Sequence, residues 1–288
     1  MGFTAQIGGI VLSLVVSGVI AWVGSSSSSV VAGLPLFFIC VLLAFALQWL
    51  FFVHSWLKRS EKLFDLIGSI TFVTVSLVAL VLMGNYDLRS LLITLAIVVW
   101  ALRLGPFLHS RIVKAGEDRR FREIKQEFTF LLMTWTMQGN WVVATAGCGI
   151  AALVSGAVVP VDGLFFAGFL LWVAGFAIEV IADNQKTRFK ADPANDGRFI
   201  ASGLWAWSRH PNYFGEIVLW VGVAVMAYPA LVGNQIFTLV SPLIVIAQLT
   251  LISGVPMLER RADKLWGEDE DYRVYKQKTP TLMLWPPR

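Results

Sequence analysis

The sequence predicts an all-α polytopic membrane protein, a bundle of about eight transmembrane helices, and three observations carry that expectation. Of the 288 residues 57% are hydrophobic and only 15% charged, too few to clothe a soluble core in a polar shell. Apolar runs recur at the length a bilayer core requires, roughly 20 residues per helix. The basic residues are gathered in blocks between those runs, as they are in cytoplasmic connections of membrane proteins.

In order, the spans are expected at 8–24, 31–57, 64–83, 88–109, 128–154, 160–182, 213–230 and 236–256. The seven residues before the first, Met1 to Ile7, hold no Lys or Arg, so the basic start of a cleavable signal peptide is missing and a retained helix is expected. The serine run Ser25 to Ser29 reads as a flexible polar connection. Lys58, Arg59 and Lys62 follow the second span, seven cations lie between Arg103 and Lys125, five between Lys186 and Arg209, and seven between Arg260 and Arg288. With eight spans all four blocks fall on one face, and Arg89 alone lies elsewhere. Both termini and the polar connections are therefore expected in the cytoplasm, most simply at a bacterial inner membrane. No internal repeat is evident, so 1–288 reads as one integral domain: N-terminal helices over 1–58 and a core over 59–288. The polar, aromatic stretch Glu259 to Arg288 is expected to fold back under the bundle.

Composition excludes several classes. Cys40 and Cys148 lie inside apolar runs, which suits packing and no disulfide scaffold. His54, His109 and His210 have no His or Cys at ligand spacing, so no metal is expected. No glycine fingerprint follows a strand and no nucleophile elbow is present, which argues against a Rossmann module and a serine hydrolase. The net charge of +4 is spread over the connections and forms no nucleic-acid patch.

The longest polar run, between Asp183 and Glu216, is the stretch where chemistry is expected. Ionisable groups within spans are costly and tend to face a bundle interior, which singles out Asp65, Arg103, Glu179, Asp183 and Glu216. Glu179 and Asp183, four apart, share a helix face, either as an interfacial pair neutralised by arginines or as part of a site. Glu216 begins another helix beside the same loop. In Ser208-Arg209-His210-Pro211-Asn212, Pro211 pre-sets a helix start whose amides could receive an anion, with Arg209 just ahead. A plain helix-start turn is the alternative. Gly116-Glu117-Asp118-Arg119-Arg120-Phe121 is either solvated loop or a segment that gates a ligand.

The residues at this point resemble a family. Asn212-Tyr213-Phe214-Gly215-Glu216, with Gly203-Leu204-Trp205 before it and Asp271-Tyr272 through Pro280 after, is similar to the C-terminal part of the steroid 5-alpha-reductases, nearest to their bacterial membrane branch. Leu102-Arg103-Leu104-Gly105, Gly116-Glu117-Asp118-Arg119 and Met137-Gln138-Gly139 also fit. The likeness runs from about residue 60 to the end, and the first span looks like an addition to a seven-helix core. It implies a reductase that binds NADPH from the cytosol and saturates a carbon–carbon double bond conjugated to the ketone of a steroid-like lipid, with no metal. By position it implies cofactor contacts at Glu179, Asp183, Arg209, His210, Asn212, Tyr213 and Glu216, with Arg103 and Arg119 near the cofactor and Lys190, Arg198, Arg260 and Arg261 at phosphate and adenosine. Asp65 falls where the family places the acid that polarises the ketone. The sequence departs from the mammalian members in Phe64, which precedes Asp65, and in Trp100 on the next span.

Hydride addition to an enone develops negative charge on the ketone oxygen, which needs a donor in a dry site. A carboxylic acid can be that donor only when neutral, the form that burial among apolar groups favours. Asp65 is the expected donor. An S-adenosylmethionine-dependent methyltransferase of the isoprenylcysteine type remains an alternative, since Arg209-His210-Pro211 followed by Tyr213 is shared with those enzymes, although their double glutamate appears here only as Glu259-Arg260. A sterol reductase would keep NADPH and change the double bond. A noncatalytic lipid binder or transporter is the third class.

Overall fold

The computed structural model describes residues 1–287; Arg288, the last cation of the fourth basic block, lies outside the described residues. Among the described residues, eight helical segments are long and apolar enough to cross a membrane. They are α1 (Phe3–Ser25), α2 (Leu36–Lys58), α3 (Phe64–Met83), α4 (Leu88–Ala115), then after the short α5 (Phe121–Ile124), α6 (Phe128–Val154) and α7 (Gly163–Ala191), followed by α8 (Pro211–Ala227) with a 3-10 turn to Ala230. The eighth, Gly233–Trp266, is built in pieces: a 3-10 stretch to Val240, α9 (Ser241–Ala247), a π-helical turn at Gln248–Ile252 and α10 (Val255–Trp266). A last helix, α11 (Glu270–Lys278), is polar. The chain is an integral multi-pass membrane protein.

The expected spans and the helices agree in number and differ at their ends. The second begins at Leu36 and not at 31, because Val30–Val31 and Leu34–Pro35 form a small antiparallel ribbon. α4 continues past 109 to Ala115 with Pro106 inside it, and α7 continues past 182 to Ala191. Apolarity marks where a helix leaves the hydrocarbon, whereas Lys, Arg and Gln go on favouring helix in water. The last span breaks at Gly254 and ends in an amphipathic helix.

The chain packs as two compact units. The first comprises residues 1–166 and 223–241. α6 is its axis: 83% of its apolar stretch is buried against 28% for α1, because it is rich in small residues and in Thr, Gln and Asn side chains that favour helix neighbours over lipid. Phe45 of α2 packs where a side chain at Gly139 would stand, and Ile97 of α4 does the same at Gly149. At the other end of α4, Arg89 is 2% exposed. Its guanidinium donates to the carbonyls of Met226 at 2.6 Å, Val159 at 3.1 Å and Pro160 at 2.7 Å, and to Asp162 at 2.9 Å. The lone cation outside the four basic blocks is thus a clasp for backbone carbonyls.

The second unit comprises residues 167–222 and 242–288. α7 and α8 run antiparallel within it and touch backbone to backbone. A methyl group at Gly215 would stand 2.6 Å from the Gly175 carbonyl and the Glu179 amide, and one at Gly222 would stand 2.6 Å from the Gly168 carbonyl. Only glycine permits that approach. The C-terminal stretch folds back, here onto the 203–210 connection: the Tyr275 hydroxyl donates to the Trp205 carbonyl at 2.7 Å, and the Arg209 and Trp285 amides to the carbonyls of Pro280 and Trp207.

Candidate functional site

The contact between α7 and α8 decides which of the expected residues meet. Gly215 lies against Glu179, so Glu179 on one helix and Glu216 on the other are brought to the same crossing. Glu179 is 2% exposed, Asp183 7% and Glu216 9%. Three acids are thus buried in one small unit of a membrane protein, where ionisable side chains are costly to place.

The start of α8 is fixed by its neighbours. Gly203, at φ +61°, turns the chain under Gln185, whose Oε1 accepts from the Leu204 amide at 2.9 Å. The indole of Trp205 donates to the Ala182 carbonyl at 3.0 Å, and the Lys186 ammonium stands 4.1 Å over its ring. Ser208, fully buried, donates to the Leu282 carbonyl at 2.9 Å. Pro211 then occupies the first helical position, where its missing N–H costs nothing, and the His210 carbonyl accepts from the Phe214 amide.

Arg209, expected to receive an anion, spends its guanidinium on the fold. Nη1 donates to the Lys276 carbonyl and Nη2 to Thr281 Oγ1, both at 2.6 Å, and Nη2 lies 3.2 Å from Glu259. Glu259 is the residue that sequence reasoning missed. Its other oxygen takes His210 Nε2 at 2.8 Å, and Lys276 approaches at 3.6 Å. The available signal was its place just ahead of Arg260, where the methyltransferase comparison looks for a double glutamate.

Burial holds the His210 imidazole below its ordinary pKa; the Glu259 hydrogen bond and charge oppose this, and the charges of Lys186 and Arg209 add to it. The neutral ring donates from Nε2 to Glu259, which leaves Nδ1 as an acceptor. That Nδ1 is buried and has no hydrogen-bond partner, and the same holds for Asn212 Oδ1 and Arg209 Nε. Buried polar atoms are rarely left unmatched. Two acceptors and one donor at a helix start, beside buried carboxylates, suit a ligand with hydroxyl and amide N–H groups better than a bare phosphate. Tyr213 stacks on His210 with ring centres 5.8 Å apart. Lys190, Arg198, Arg260 and Arg261 are exposed.

Asp65, Arg103 and Arg119 belong to the first unit. Asp65 is in the first turn of α3, its side chain 14% exposed. Arg120, and not Arg119, reaches it, at 3.8 Å, and Arg120 is committed more closely to Asp118 at 2.5 Å. Arg103 lies over the Phe107 ring at 4.9 Å, and Arg119 is exposed. Next to Asp65, Phe64 packs edge-on against Trp135 at 5.1 Å, inside a cluster with Phe52, Ile67, Phe121 and Leu131. Trp135 Nε1 is a buried donor without a partner. Trp100 is buried against Phe72.

Below the helices, Glu61 is 2% exposed and holds Lys125 at 2.8 Å and the Asp118 amide at 2.9 Å. Burial pushes its carboxyl up, but these hydrogen bonds outweigh it and keep the group below the usual carboxylate range.

Comparison with known proteins sets this geometry in context. Residues 50–279 match the family described as "Protein of unknown function (DUF1295)". Over 64 residues the chain is 38% identical to Steroid 5-alpha-reductase DET2 of Gossypium hirsutum, covering 22% of this chain and 25% of that one. It is 30% identical over 64 residues to 3-oxo-5-alpha-steroid 4-dehydrogenase 1 of Mus musculus, with the same coverage. It is also 25% identical over 97 residues to Probable O-methyltransferase ustE of Ustilaginoidea virens, covering 34% of each. The chain thus spans a quarter to a third of the length of these curated relatives. No solved structure matches it.

Proposed function

Because the chain belongs to the DUF1295 family, which includes steroid 5-alpha-reductase-like proteins, we propose that it is an NADPH-dependent membrane reductase acting on the conjugated double bond of a lipophilic enone, of which a 3-oxo-Δ4 steroid is the type. The observation that carries this reading is the pair of unpartnered acceptors at the start of α8, His210 Nδ1 and Asn212 Oδ1. They fit the carboxamide N–H and ribose hydroxyls of a nicotinamide nucleotide. When bound, that nucleotide supplies the hydride.

In this proposal Asn212 and His210 orient the ligand by accepting its hydrogen bonds, and Tyr213 closes the side of the imidazole. Glu179, Asp183 and Glu216 supply further acceptors. Glu259 acts as a positioning residue, since it holds His210, and Arg209 offers Nε to the ligand while Nη1 and Nη2 hold the fold. Lys190 and Arg198 are the phosphate candidates of this unit; Arg103 and Arg119 enter through the family resemblance. Asp65, in its neutral form, donates to the ketone oxygen. Water then protonates the α-carbon. The active-site connections face the cytoplasm, as the basic blocks imply.

The test is turnover. Purified chain in detergent, given NADPH and a 3-oxo-Δ4 steroid, forms a product two hydrogens heavier by mass spectrometry, and Asp65→Leu lowers the rate while NADPH binding persists. No product from any enone offered, with NADPH bound, would remove the reductase assignment. The partial likeness to an O-methyltransferase favours one rival, an S-adenosylmethionine-dependent lipid methyltransferase. That rival requires methyl transfer to a lipid acceptor in the same preparation.

A further inference from the structure

Helix α10 separates its charges by sign. One side carries Glu259 and Trp266, partly buried, and Asp263, half exposed at the edge, and each is occupied: Glu259 with His210 and Arg209, Asp263 with Lys276 at 2.5 Å and the Tyr272 hydroxyl at 3.1 Å, and Trp266 Nε1 with the Gly197 carbonyl at 2.6 Å. Met257, Arg260, Arg261, Lys264 and Leu265 all fall within the opposite face at helical spacing, and all five are exposed. Met257 is 45% exposed and Leu265 59%. An ordinary solvated face mixes both signs of charge. This one has three cations, two apolar side chains and no acid.

The helix begins where the apolar part of the last span ends. Leu251, 74% exposed, and Ile252, 58% exposed, are the last residues of that stretch, and the break at Gly254 follows at once. A basic and apolar helix face that starts at the end of a span has the composition of a helix lying in the headgroup layer, with Met and Leu dipping inward and Arg and Lys in register with phosphate.

We propose that the outward face of α10 is a docking surface for anionic phospholipid headgroups. Because Glu259 on the other side clamps Arg209 and His210, lipid charge that seats α10 also steadies the start of α8. The coupling runs through the fold and does not depend on which cofactor binds there.

The experiment uses the full chain in phosphatidylcholine bilayers with and without phosphatidylglycerol, read by thermal unfolding. The wild type is expected to show a higher Tm with phosphatidylglycerol, a rise that added salt erodes because exposed charges are screened. The triple variant R260Q/R261Q/K264Q, altered only at exposed positions, loses the rise, whereas K278Q on α11 keeps it. The proposal is overturned if phosphatidylglycerol leaves the wild-type Tm unchanged, or if the triple variant keeps the full rise. It is also overturned if inorganic phosphate in pure phosphatidylcholine reproduces the rise, which would assign the face to a soluble anion.

Discussion

Glu259 holds His210 at 2.8 Å across 49 residues of sequence, and with Arg209 at 3.2 Å on its second oxygen it joins the last helical segments to the start of α8. A side chain outside the recognisable motif thus fixes the tautomer of one inside it. Replacing Glu259 with Ala is expected to cost about 1–3 kcal/mol, the range for leaving a partly buried charged partner unmatched. Thermal unfolding in detergent measures the loss. Glu259→Gln, which can still accept from His210, is expected to recover part of it.

The same pair sets a pH dependence. The His210 pKa is lower folded than unfolded, since burial outweighs Glu259 and is joined by Lys186 and Arg209. The unfolded chain therefore binds the extra proton first as pH falls below about 6.5. The stabilisation is complete above that value and is lost as pH drops through the folded pKa. Tm measured from neutral to acid pH should decline more steeply in the wild type than in His210→Asn. Parallel curves for the two would contradict this assignment.

The crossing of α7 and α8 depends on hydrogen atoms where other residues have Cβ. Gly215→Val is expected to destabilise by about 1–3 kcal/mol through overpacking, since it meets backbone on α7 with no side chain free to yield. The variant should also weaken ligand binding, because Glu179 and Glu216 flank the contact. Denaturation and NADPH titration on one preparation test both effects.

Arg89 offers a test of the first unit alone. Arg89→Leu leaves the carbonyls of Met226, Val159 and Pro160 without their donor, and a loss of about 1–3 kcal/mol is expected for unmatched acceptors of this kind. Arg89→Lys restores charge without the planar fork and should recover only part. Comparable unfolding temperatures for wild type and Arg89→Leu would show the clasp to be dispensable.

Much of the fold was legible because the bilayer imposes one rule on every span. The eight helices follow from apolar runs alone, and the ends that moved, at Ala115, Ala191 and Trp266, lie where polar residues continue a helix into water. Within the site, Asn212 could be named from its motif, yet its unmatched Oδ1 could not, because a hydrogen-bond deficit belongs to an environment. Glu259 was missed because its partners lie 49 and 50 positions upstream, at His210 and Arg209. Gly175 and Gly215 read singly as helix glycines, and only the packed helices show them as one contact. Arg209 could be named from the chain, whereas the engagement of its Nη1 and Nη2 by Lys276, Thr281 and Glu259 belongs to the fold.

Ligand-dependent stability of the purified chain tests the central claim most directly. A ligand that binds only the folded state at 100 times its Kd stabilises by about 2.7 kcal/mol, so NADPH, NADH and S-adenosylmethionine can be compared on one scale. NADPH is predicted to raise Tm most, with Asn212→Leu and Glu216→Gln each reducing the rise. A shift with S-adenosylmethionine and none with NADPH would contradict the account.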